Sequence, residues 1–195
     1  MRELVYYVGM SIDGRIAGPG GEYDFYPVGD EDQAAVYQAW VNERYPETVP
    51  TPVRAAVGLA DEPNRHFDTV LMGTATYRVV LDAGVTSPYA HLRQYVVSTT
   101  LGASPDPAVT VVDGDPLALV RALKQEDGQD VWLCGGGRLA GALLPEIDEL
   151  VVKSYPVVAG AGIPAFDGAF DPTPFTVTDR TTFPSGVTMT WFSRR

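Results

Sequence analysis

Asp130-Val131-Trp132-Leu133-Cys134-Gly135-Gly136-Gly137-Arg138-Leu139-Ala140-Gly141-Ala142-Leu143-Leu144 carries a short apolar run into three glycines and straight on into a helix-forming apolar segment. The pattern reads as a strand, a turn with no room for side chains, and a helix. A helix start presents free backbone N–H groups and partial positive charge, a natural anion site. Glycine belongs where the backbone turns sharply and a phosphate must come close. The turn at Gly135, Gly136 and Gly137 is therefore expected to seat a dinucleotide diphosphate, although tight packing alone explains such a turn equally well.

The same alternation extends in both directions. Glu3–Met10 reads as a strand, followed by a glycine-punctuated loop from Ser11 to Tyr26. Asp30–Tyr45 has helical spacing, with Ala35, Tyr37, Trp40 and Val41 as inward candidates. Pro46–Pro63 is Pro-rich, with a short helix around Val53–Leu59; residues 46–66 read as an insertion that forms either a lid over a cleft or cover for another surface. Thr69–Met72 is a buried strand ended by Gly73, with a helix from Thr74. Tyr95–Ser98 and Val109–Val112 are further strands. A helix from Asp115-Pro116 then turns Leu117, Leu119, Val120 and Leu123 inward. After strand 131–134 and helix 136–144 come strand Leu150–Tyr155 and a hairpin of Phe175–Phe183 and Val187–Phe192 about Pro184-Ser185-Gly186. This order predicts an α/β fold: a mixed, mostly parallel sheet with flanking helices and an antiparallel C-terminal hairpin. Ligands of such sheets sit beyond the carboxyl ends of the strands. Gly73-Thr74, Ser98-Thr99-Thr100 and Gly135–Gly137 all fall there.

At 195 residues the chain is expected to form one domain, with 45% hydrophobic and 20% charged residues. A net charge of −11 with no basic run speaks against nucleic acid and anionic membranes as partners. It leaves room for an anionic cofactor, which needs only local N–H groups and one or two cations. The one cysteine, Cys134, forms no intrachain disulfide and fits a reducing cytoplasm; its expected role is that of a small buried residue. No signal-peptide pattern and no membrane-length apolar stretch is read. His66 and His91 are too few for a zinc site, so no metal is expected.

Five segments in this order resemble the dihydrofolate reductase-like superfamily, closest to stand-alone relatives of the reductase domain of the riboflavin-biosynthesis deaminase-reductase. They are Met10–Gly18 (Met-Ser-Ile-Asp-Gly-Arg-Ile-Ala-Gly), Val70–Gly73, Tyr95–Ser98, Leu133–Arg138, and Asp148-Glu149-Leu150 through Pro156 to Gly162. The resemblance implies a sheet of about eight strands, as expected of that fold. It also implies an NADPH-dependent reductase ancestry and a homodimer. It places a flexible loop, Met10–Gly18, over the nicotinamide, with Gly9 and Ile16 flanking the ring. Gly73 and the helix start at Thr74 would meet one end of the diphosphate, and Ser98 and Thr99 the adenosine ribose. Gly135, Gly136 and Gly137 would pack on the diphosphate, with Arg138 as a salt partner or else a solvated first-turn arginine.

Two positions depart from the pattern. Where relatives commonly carry arginines for the adenosine phosphate, this chain has Thr74 and Thr99. Each lost guanidinium removes a contact worth about 1.5–3 kcal/mol. NADH thus becomes as admissible a cofactor as NADPH unless Arg78 or Arg93 compensates.

Hydride transfer also needs a proton source. Asp13 and Lys153 are the candidate catalytic residues. Asp13 is equally explained as a loop-turning residue before glycine. Lys153 interrupts an apolar strand and meets either the substrate or solvent. Asp24, Asp30, Glu31 and Asp32 are further acids near the site, Asp30 equally a helix cap. Tyr6, Tyr7, Tyr23, Phe25 and Tyr26 form an aromatic mouth for a flat heterocycle, with core packing an equal account of Tyr6 and Tyr7. The expected activity is hydride transfer from NAD(P)H to a small pterin- or pyrimidinone-like heterocycle or a carbonyl. The alternative is a catalytically silent nucleotide- or small-molecule-binding protein on the same fold.

Overall fold

The computed structural model describes residues 1–195. Its centre is one eight-stranded sheet, in the order β5-β4-β3-β6-β1-β7-β10-β9. The strands are β1 (Leu4–Ser11), β3 (Phe67–Gly73), β4 (Arg93–Val97), β5 (Val109–Val112), β6 (Asp130–Gly135), β7 (Glu149–Tyr155), β9 (Phe175–Thr182) and β10 (Thr188–Arg194). All pairings from β5 to β7 are parallel, and β10 is antiparallel to both β7 and β9. The expected mixed sheet with its C-terminal hairpin is therefore present. Two short strands, β2 (Arg15–Ala17) and β8 (Ile163–Pro164), pair apart from the main sheet. Three and two residues are too few for any alternation to announce them.

The period of two along each central strand sorts side chains to two cores. On β1, Val5 and Tyr7 enter one cluster, while Leu4, Tyr6 and Val8 enter the other. On β6, Trp132 faces the first cluster, and Val131 and Leu133 the second. Helices α1 (Glu31–Arg44) and α3 (Thr74–Asp82) cover the first face, through Tyr37, Val41 and Tyr77. Helices α4 (Pro116–Lys124) and α5 (Gly137–Leu143) cover the second, through Val120, Leu123, Leu139 and Leu143.

Helix starts divide into two kinds. Asp30 caps α1 in a capping box with Gln33, and Asp115 caps α4 by accepting from the Leu117 N–H. An aspartate cap of this kind contributes about 1 kcal/mol. At α3 and α5 the cap position is a glycine, Gly73 and Gly136, and no side chain meets the free N–H groups. Within α1, Ala35 is exposed and Ala34 takes the half-buried position, one residue from the expected register.

Residues 46–66 carry the short helix two residues earlier than expected, as α2 (Thr51–Arg54) followed by a 3-10 turn at Ala55–Val57. Pro52 in its first turn favours that start. Buried polar groups tie the segment to the body. Glu47 is fully buried and accepts from the backbone N–H groups of Arg65, His66 and Phe67. Buried Arg54 donates to the carbonyls of Pro46 and Glu62.

Candidate active site

The carboxyl ends of β4, β3, β6, β1 and β7 lie side by side, because these strands are successive neighbours in the sheet. They line up Ser98-Thr99, Gly73-Thr74, Gly135-Gly136, Gly9 and Lys153 in one row. Met72 pairs with Gly135, and Gly9 with Lys153. A Cβ built on Gly73 would meet Gly135 O and Gly136 N at 3.5 Å, so the two glycine turns touch. The tandem of uncapped helix starts thus opens on one spot, with Thr76 Oγ1 the nearest side-chain atom to the Gly135 and Gly136 Cβ positions.

The three glycines of the central turn have different reasons to be glycine. Gly135 has φ +146°, a conformation that side chains rarely adopt, and the Gly135–Gly136 peptide is cis. Gly136 is extended, and its Cβ position is open, with Thr76 Oγ1 nearest at 3.7 Å. Gly137 is buried, and a Cβ there would lie 2.1 Å from the Pro164 carbonyl oxygen. Its missing side chain makes room for the chain's own backbone beside β8.

The remaining expected cofactor residues fall around this row. Ser98 is buried, and its Oγ already accepts from the Thr100 and Leu101 N–H groups. Thr99 is exposed, and Thr74 Oγ1 donates to the Val97 carbonyl at 3.4 Å. The Arg138 side chain is 94% exposed, with Asp167 Oδ2 3.5 Å from its Nε. Such an exposed pair is worth little, so the guanidinium is in effect solvated. Arg78 is also exposed on α3. Arg93 starts β4 at the far end of the sheet, pairs with Glu126 and lies over the Tyr95 ring, and so is committed elsewhere.

A cavity of about 620 Å³ opens next to this row, on the α1 face. Its floor is Tyr7, Gly9, Cys134 and Lys153, and Tyr37 and Tyr155 stand beside them. One wall is α1, with Gln38, Val41 and Asn42. The other is the Pro-rich segment, through Val49, Pro50, Val53 and Val57. That segment lines the cleft rather than covering a remote surface. Cys134 directly precedes Gly135, so the cavity floor and the glycine turn are consecutive residues of β6.

Lys153 is the one charged residue among those lining the cavity. Val151 and Tyr155, two residues either side of it on β7, face the same core, so parity carries Lys153 inward and not to solvent. Its ammonium lies 4.1 Å from the centre of the Tyr7 ring and has no carboxylate partner. Burial pulls its pKa from 10.5 to about 8, against a small opposing effect of Cys134. Burial also pushes the Cys134 thiol up to about 12, which makes it unreactive. The Tyr7 hydroxyl is buried without a hydrogen-bond partner. The Tyr37 and Tyr155 hydroxyls share a bond of 3.0 Å, and Tyr26 stacks on Tyr155 at 4.5 Å.

Asp13 is placed elsewhere. Its carboxylate accepts from Ser11 Oγ and from the N–H groups of Ala159 and Gly160. The Ser11 bond, followed by the Ala159 bond, lowers its pKa from 3.8 to about 2. A carboxylate so held is ionised at neutral pH and pins the loop. The loop is further clamped by the Ile12 N–H to Val157 O bond, the Ala165 N–H to Gly14 O bond and the β2–β8 pair containing Ile16. Asp30 is a cap, and neither it nor Asp24, Glu31 or Asp32 lines the cavity. Of the aromatic mouth, Tyr7 and Tyr26 are at the site, with Phe25 packed on Tyr26 at 4.4 Å. Tyr6 lies on the opposite face, where its hydroxyl donates to Ala165 O, and Tyr23 is exposed. Tyr37 and Tyr155 were missed as site residues, and the shared parity of Lys153 and Tyr155 was the available signal for one of them. Of the two roles read for residues 46–66, the 48–57 stretch takes the one at the cleft.

The fold is shared with solved structures. A protein from Shewanella sp. PV-4 assigned to riboflavin biosynthesis has a TM-score of 0.69 at 24% identity, over 100% of this chain and 99% of that one. The deaminase/5-amino-6-(5-phosphoribosylamino)uracil reductase of Thermotoga maritima gives 0.61 at 15% identity, and RibD of Acinetobacter baumannii 0.64 at 17%. This chain spans 57% and 58% of those two longer proteins. The uncharacterized protein YwjB of Bacillus subtilis is 30% identical over 171 residues, covering 85% of this chain and 83% of YwjB. YyaP of the same species is 33% identical over 97 residues, about half of each chain (49% and 51%). The model of the RibD C-terminal domain matches residues 2–189, so this chain, with its dihydrofolate reductase-like fold, belongs to the RibD C-terminal domain family.

Proposed function

We propose that the chain is an NAD(P)H-dependent reductase acting on a small heterocyclic or carbonyl substrate. One observation carries the reading. The uncapped glycine turns of β3 and β6 open on one spot, and the adjoining residue, Cys134, floors a cavity that holds the unpaired Lys153. The residues fit a dinucleotide. Gly73, Thr74, Gly135 and Gly136 would hold the diphosphate by backbone N–H groups, beside the packed Gly137. Ser98 and Thr99 would lie at the adenosine end, Gly9 and Ile16 at the nicotinamide. When bound, the cofactor supplies the hydride.

Lys153 would orient a substrate oxygen and supply the proton, as a pKa of about 8 keeps its ammonium protonated at neutral pH yet ready to give the proton up. The stacked Tyr26 and Tyr155 and the aliphatic wall exclude water. With Thr74 and Thr99 in the row and Arg138 solvated, no guanidinium is fixed for an adenosine phosphate, which supports use of NADH as well as NADPH. The family reading extends to a homodimer working in the cytoplasm. The outer edge of β9 is unpaired, and no helix is long and apolar enough to cross a membrane.

Calorimetric titration with NADPH and NADH tests the reading. Both are expected to bind, and Gly136→Asp, which places a carboxylate at the open Cβ position, to abolish binding in a protein that still melts cooperatively. Retained affinity in that variant refutes the assignment. The second reading, a silent binding protein, is favoured by the absence of any carboxylate along the cavity and by ionised Asp13. Cofactor binding without NAD(P)H oxidation across a panel of pterins and pyrimidinones would select it.

A further inference from the structure

The charge inventory of the cavity restricts its ligand more narrowly than the family does. We infer that it takes a bare planar ring bearing carbonyl or enolate oxygens, such as a pteridine or pyrimidine dione, and not a phosphate ester. This rests on reading the cavity as the substrate site.

Three features argue for it. Lys153 is the only cation along the cavity and sits on its floor, above Tyr7. A phosphate dianion leaving water needs several charge-assisted donors, and one ammonium does not supply them. The Pro-rich wall is aliphatic, with Val49, Pro50, Val53 and Val57, and the α1 wall adds only the uncharged Gln38 and Asn42. Second, no carboxylate lines the cavity, so a ring edge that must donate an amino-amidine pair finds no charged acceptor. Third, Tyr7, 3% exposed, lines the cavity, and its buried hydroxyl has no hydrogen-bond partner. Together with the unpaired ammonium it presents donors, which match ring oxygens. The reductase from Thermotoga maritima is described by a phosphoribosylamino substrate; this cavity is built for the ring without that group.

The test is a fluorescence titration of the whole chain with lumazine, a fluorescent pteridine dione, without cofactor, beside 5-amino-6-(5-phosphoribosylamino)uracil as competitor. Lumazine is expected to bind saturably, and the phosphorylated compound to bind at least about tenfold more weakly. Lys153→Met is expected to lose about tenfold or more in lumazine affinity, the value of one charge-assisted hydrogen bond. Tyr7→Phe, a smaller change, is expected to lose several-fold. Tighter binding of the phosphorylated compound, no lumazine binding, or wild-type affinity in Lys153→Met each overturns the inference. Because the readout needs no cofactor, it separates from the reductase reading. Lumazine bound by a protein indifferent to NAD(P)H removes the reductase reading alone. Oxidation of NAD(P)H by the phosphorylated compound removes the inference alone.

Discussion

Replacing Lys153 by methionine should stabilise the protein, and the size follows from the site. Burial lowers the lysine pKa from 10.5 to about 8. At about 1.4 kcal/mol per unit, that is about 3 kcal/mol lost by keeping the ammonium in the folded state. The cost is present in full below pH 8, where folded and unfolded chains both hold the proton. It shrinks between pH 8 and 10.5, where the folded protein has released the proton and the unfolded chain still binds it, and vanishes above. Methionine keeps the apolar stem that passes Gly9 and places its sulfur by the Tyr7 ring. The other ionisable groups facing Lys153 are Tyr7, Tyr37, Tyr89 and Tyr155, all shifted above 10, and Cys134, pushed up to about 12. In the unfolded chain these groups ionise near 9 to 10, but they do so in wild type and variant alike and cancel in the difference between them. Urea unfolding at intervals from pH 6 to 10.5 is the assay. The variant should be about 3 kcal/mol more stable than wild type at pH 7, with the gap closing towards pH 10.5. Equal stability at pH 7, or a gap that does not change with pH, refutes the reasoning. The expected result would mark Lys153 as retained at a cost in stability, as ligand-contacting groups are.

Two other perturbations test the surroundings of the site. Gly137→Ala puts a methyl 2.1 Å from the Pro164 carbonyl oxygen and should cost about 1–3 kcal/mol despite the better helix propensity of alanine. A thermal melt with an unchanged or raised Tm would show that this backbone approach is not tight. Asp13→Ala should speed hydrogen exchange of the Ala159 and Gly160 amides, which the carboxylate now accepts. In the wild type, Asp13's contribution is fully present above pH 3.8 and lost as pH falls through about 2, so exchange at pH 7 reports the intact anchor. Unchanged exchange in the variant would remove the anchoring role.

Short apolar runs and helical spacing were enough to read the central strands and the main helices, because most strands are bounded by glycine, proline or acidic residues and the long helices have a pattern of their own. Val109–Val112 was read to the residue, and Asp30 and Asp115 mark the starts of α1 and α4 in sequence and structure alike. Glycine- or hydroxyl-rich turns at three strand ends located the row before any coordinates. Which glycine serves which purpose was not legible. Gly137 is glycine because of Pro164, which is distant in sequence, and Gly136 faces open space only because of where α3 starts.

Lys153 shows the division most clearly. Its interruption of an apolar strand is visible in the sequence, and parity with Val151 and Tyr155 assigns its face once that face is known to carry α1. That α1 and the Pro-rich segment close over it into a cavity, with no carboxylate in reach, is a property of the assembled fold. Asp13 illustrates the converse: an aspartate before glycine can turn a loop or donate a proton, and only the approach of the Ala159 and Gly160 amides decides that it is held ionised. Local pattern determined the elements and their order, since hydrogen-bonding periodicity and side-chain propensity act between near neighbours. Tertiary structure decided charge states, cavity walls and the reasons for each glycine, since burial and electrostatics depend on residues that meet only across the fold.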